Sequence, residues 1–146
     1  MKANRGYLFV IAALFFSLTS CSTYPDGPTI SLKSKEARIA GTWKVTQATD
    51  EDGQDATDSF SNWRYTFSED GTAVLNITEG SVGYEMTGDW ALSDDQLTFR
   101  VSVQGQIFGT VTFTQDAEYE ILRLSDKEFW LKDVDDADIT VSLSPF

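Results

Sequence analysis

The side chains here that are equipped for chemistry fall into three groups: one cysteine, two runs of aspartates and a large set of aromatic rings. Cys21 has no second cysteine to pair with, so it forms no internal disulfide. The chain contains no histidine, which removes Ser-His-Asp and Cys-His catalysis, the usual zinc ligand sets and the commonest general base near neutral pH. Carboxylates remain. Asp50, Asp52, Asp55 and Asp58 form one cluster, and Asp133, Asp135, Asp136 and Asp138 form another. Such loops could bind calcium through oxygen ligands, but neither has the spacing or terminal glutamate of an EF-hand loop. Solvated loop charge is the reading adopted, with no metal site. No pattern places two carboxylates across a cleft, so no catalytic residue is assigned, no cofactor is expected and the chain is read as a non-enzyme.

Cys21 gains its meaning from what precedes it. Lys2 and Arg5 open the chain, and Tyr7 to Leu18 is an apolar run. That run holds about a dozen residues, against roughly 20 for a helix that spans a hydrocarbon core, so it reads as a signal peptide. Leu18-Thr19-Ser20-Cys21 resembles the lipobox of bacterial lipoproteins, an aliphatic and two small residues before the cysteine that becomes the lipidated first residue. The resemblance implies cleavage before Cys21 and membrane attachment through acyl chains of the palmitate type, since two or more chains anchor stably where one does not. It also implies, from Ser22 rather than aspartate at the next position, sorting to the periplasmic face of an outer membrane. Removing residues 1–20 takes away two basic groups and no acid, so the mature chain is still more acidic than the formal −12 of the whole. That balance repels nucleic acid and anionic bilayer surfaces, and no nucleic-acid partner is expected.

The elements that would position a site begin after a tether. Residues 21–33 contain Pro25, Gly27 and Pro28 and read as an extended link, leaving residues 34–146 as one domain. Ser34 to Ala40 suits one or two helical turns, with Ser34 as the cap. Beyond Gly41 the pattern is period-two alternation, as in Tyr84, Met86 and Trp90, then Leu97, Phe99, Val101 and Val103. It predicts strands near 42–49, 61–68, 72–78, 82–92, 96–103, 106–114, 118–125, 128–133 and 138–143. Turns are predicted at 70–71, 79–81, 93–95, 104–106 and 125–127. An antiparallel meander of eight to nine short strands must bury one face and hide its edges. An up-and-down β-barrel does both, and short links favour it over a two-layer sandwich.

Gly41-Thr42-Trp43, entering the first strand after a helical turn, resembles the lipocalin signature, and residues 34–143 are similar to the short lipocalin-like lipoproteins of Bacteroidetes-type bacteria. Thr114-Gln115-Asp116 with Tyr119 loosely resembles the family's second motif. The resemblance implies that Trp43 plugs the closed end of the barrel beneath a basic side chain, for which Lys132 is the candidate. Alternating strand direction then puts the loop 50–61 and the turns near 79–81, 103–106 and 125–127 at the open end. The turns near Asp70, Asp94 and Asp116 go to the closed end. Inward residues near the open rim are the ligand candidates: Trp63, Tyr65, Tyr84, Val103, Ile107 and Phe108. Phe67, Trp90 and Phe113 are expected deeper, in the core. An eight-strand barrel holds at most one small molecule, so the leading expectation is a small, apolar ligand at the mouth. The competing one is a filled barrel that engages a protein of the cell envelope.

Overall fold

A computed structural model describes residues 24–25, 32–107, 109 and 111–146. Cys21, the leader and Phe108 lie outside the described residues. Ser34 starts the domain as a helix cap, its hydroxyl accepting from the Ala37 amide at 3.1 Å, and helix α1 (Lys35–Ile39) follows. Ile39, the last residue of α1, is buried, and its carbonyl accepts the Trp43 indole N–H at 2.7 Å. The signature tryptophan therefore packs under the helix.

Eight strands follow: β1 (Gly41–Ala48), β2 (Trp63–Phe67), β3 (Thr72–Glu79), β4 (Val82–Leu92), β5 (Thr98–Ile107), β6 (Val111–Leu124), β7 (Phe129–Asp133) and β8 (Thr140–Pro145). Each pairs antiparallel with the next and β8 returns to β1, so the sheet is a closed up-and-down barrel with no free edge. Every buried core side chain among the described residues lies between Tyr24 and Leu143. A chain beginning at Ser22 thus holds all eight strands and every buried core residue among the described ones.

Of the expected eight to nine strands the barrel has eight, because the two segments predicted over 106–114 and 118–125 are one strand. Thr114, Gln115 and Asp116 pair in the middle of β6 with Gln104, Val103 and Ser102 of β5. The polarity of Thr114 and Asp116 reflects an outward face rather than a turn, while Gln115 between them faces the interior: Asp116 accepts from the Ser102 hydroxyl, and Glu118 pairs with Arg100 at 2.8 Å. The hairpin instead turns past Ile107, where Gly109 takes a left-handed φ of 70°. Gly105, expected in the turn, stays in strand β5 opposite Met86.

That change reverses strand direction downstream. The turn at 125–127, expected at the open rim, lies at the helix-capped end, and the loop 134–139 lies at the mouth. Phe113, expected in the core, stands near the start of the long β5–β6 hairpin and is 42% exposed. Leu97, expected to share a face with Phe99, precedes its strand and is also exposed. Lys132, expected over Trp43, points outward from β7 near the mouth and pairs with Glu120 at 2.6 Å. Arg38 is a basic group at the Trp43 end, and its guanidinium donates to the Leu124 carbonyl at 2.9 Å. Tyr24, assigned to the extended tether, is buried; its hydroxyl donates to the Gln96 carbonyl at 2.9 Å, with the Lys35 ammonium 5.0 Å from its ring centre. An amphipathic ring with a satisfied hydroxyl gains more from docking than from solvent.

Candidate functional site

The two ends of the barrel differ in how they are filled. Near α1 the interior is a chain of rings: Trp43 on Phe129 at 5.8 Å, Phe129 on Phe99 at 5.1 Å, Phe99 on Phe67 at 5.3 Å, and Phe67 on Trp90 at 6.1 Å. The tilted and edge-on contacts suit the charge distribution of aromatic faces and fill the interior at that end. Above this plug a cavity of about 140 Å³ opens toward the other end. Phe67 and Phe99 line its base, Val45, Leu131 and Leu143 its sides, and Thr49, Phe60 and Ile139 its mouth. None of its lining residues carries a charge.

Apart from Thr49 at the mouth, its polar groups come from β2 and β6. The Gln115 side-chain amide lies 3.4 Å from the Tyr65 hydroxyl, while Gln115 Oε1 is buried with no hydrogen-bond partner among the described residues. Burial pushes the Tyr65 hydroxyl well above the ordinary tyrosine range, only partly opposed by the Gln115 contact. Tyr119 is pushed up to about 12, first by burial and then by the Asp133 carboxylate opposite it on β7. Both phenols are therefore neutral near pH 7, able to donate and accept.

Among the rim candidates, Tyr65 lines this cavity. Trp63 is half-buried and packs edge-on against Phe60 at 5.0 Å, as part of the wall behind the mouth. Tyr84 is half-buried opposite Ile77, and Val103 is fully buried between Gly88 and Gln115; the cavity lining includes neither. Ile107 ends β5 opposite Val111. Gln115 and Tyr119 were missed because Thr114-Gln115-Asp116 looked like a turn. The signal available was the odd-position series Phe113, Gln115, Ala117, Tyr119 and Ile121, which runs unbroken through it.

The aspartates of the first loop and of the loop after β7 ring the mouth. Asp50 Oδ1 accepts from the Asp52 and Gln54 amides, and Asp133 Oδ1 from the Asp135 and Asp136 amides. These carboxylates cap their own turns. Hydrogen bonds from Thr57 hold Asp55 below the usual carboxylate range. Among the described residues no group of three or more such side chains is arranged to hold a metal ion.

With barrel, plug and mouth in place, the model of the lipocalin-like domain matches residues 39–131, from the end of α1 through most of β7. The chain belongs to the lipocalin-like domain family. No curated protein matches it. The lipocalin-like match stops short of β8, so the strand that closes this barrel on β1 lies beyond the matched segment.

Proposed function

We propose that this lipocalin-like protein is made as a lipoprotein precursor, cleaved before Cys21 and held by lipid to the periplasmic face of an outer membrane, where its barrel binds a small, largely apolar molecule. The observation that carries the binding role is the uncharged cavity of about 140 Å³ reaching the open end above an aromatic plug. The anchoring role rests on Leu18-Thr19-Ser20-Cys21 after an apolar run too short to span a bilayer. Tyr24 supports an orientation. It is buried at the helix-capped end, and three extended residues reach about 11 Å at most, so lipid on Cys21 brings that end to the membrane and turns the mouth away from it. The role proposed is non-enzymatic.

Growth with labelled palmitate should mark the protein and leave Cys21→Ala unmarked and released from the membrane fraction. The chain beginning at Ser22, purified from bacteria, should carry a small-molecule adduct in native mass spectrometry. A palmitate-free, soluble wild-type protein would refute the anchor. One feature favours a second reading, an envelope protein as partner. Val82, Val111 and Phe113 stand exposed on β4 and β6 near the mouth, and crosslinking in cells should then recover a partner that V111D loses.

A further inference from the structure

We propose that the cavity selects a neutral, one-ring molecule bearing a single hydroxyl, the phenol class, with that hydroxyl held between Tyr65 and Gln115. This rests on the binding role proposed above and narrows it in three steps. Size comes first: about 140 Å³ is close to the roughly 150 Å³ of an apolar engineered cavity that takes up benzene, so one ring fits and a long acyl chain does not. Charge comes second. No lining residue could pair a buried ion, and an unpaired charge moved out of water is very costly. The aspartates of loops 50–61 and 134–139 add repulsion against any anion at the mouth.

The third step is the Gln115 amide. One of its polar atoms meets Tyr65 and the other is buried in the cavity wall without a partner among the described residues. A buried polar atom left unmatched is destabilising, so a ligand that supplies the match is favoured over one that does not. A hydroxyl both donates and accepts, and so serves whichever way round the amide lies. The rings of Phe60, Phe67 and Phe99 supply edge and face contacts for an aromatic body.

Phenol, benzene and benzoate are titrated near pH 7 into the 15N-labelled chain beginning at Ser22, and amide shifts are followed by NMR. Phenol is expected to bind about tenfold tighter than benzene and to move the Gln115 side-chain resonances, with benzoate far weaker than either. Benzene equal to phenol, or benzoate tighter than phenol, overturns the hydroxyl assignment while leaving a binding barrel. No shift with any of the three overturns the binding role itself. Gln115→Leu should erase the preference for phenol and keep benzene affinity; a preference that survives this substitution also overturns the assignment. The comparison of the three probes on the unsubstituted protein stands even if that variant fails to fold.

Discussion

At the scale of single residues, the buried tyrosines give the protein a characteristic alkaline weakness. Tyr24 and Tyr119 are each pushed up to about 12, chiefly by burial, and Tyr65 is pushed higher still. In an unfolded chain the same phenols ionise near 10. Between those values the unfolded state gives up protons that the folded state keeps, so stability is complete below about pH 10 and falls as the pH climbs toward 12. The urea midpoint should decline across that window in step with a late rise in tyrosinate absorbance. Tyr119→Phe should blunt the decline, and a flat midpoint would show that these rings are solvated. Legibility was uneven at this scale. Ser34 and Trp43 could be read directly, because a cap and a ring beside a helix end act through neighbours in sequence. Lys132 could not: its partner Glu120 is set by β6–β7 register.

At the scale of elements, the strands show where period two holds and where it breaks. Trp43 and Val45 are buried at odd positions of β1, but Ala48 is buried at an even one, because the register with β8 shifts between Val45 and Gln47. In β6 the buried set passes from Ile121 to Leu124 across a similar shift between Ile121 and Arg123. A bulge inserts one unpaired residue and re-aims every later side chain, which no alternation rule can locate in advance. At Gly88 the register is unbroken, and the constraint is close approach of the two strands. A Cβ there would come within 1.9 Å of the Ser102 carbonyl oxygen, so β4 crosses close over β5 only because the side chain is absent. Gly88→Ala should cost on the order of 3 kcal/mol in urea unfolding. Gly83→Ala, with open space around it, should stay within about 0.5 kcal/mol and serves as the control.

At the scale of the whole molecule, charge is one-sided, with 23 acidic groups against 11 basic. Four described ion pairs, including Arg100 with Glu118 and Lys132 with Glu120, take up only a small share of the acids. Self-repulsion should therefore dominate the salt response. Going from roughly 0.01 M to roughly 0.1 M salt shortens the screening distance from about 30 Å to about 10 Å, and Tm should rise. A fall would mean that the ion pairs outweigh the repulsion. By itself the sequence determined the absence of histidine chemistry, the short helix and an antiparallel barrel of eight or nine strands. Each of these depends on residue type or on spacing within one segment. Only the tertiary structure decided that β6 is one long strand, which loops share the mouth, and that Tyr65, Gln115 and Tyr119 face one cavity. Strand continuity and facing are set by pairing between segments distant in sequence, and a polar outward face reads the same as a turn until its partner strand is known.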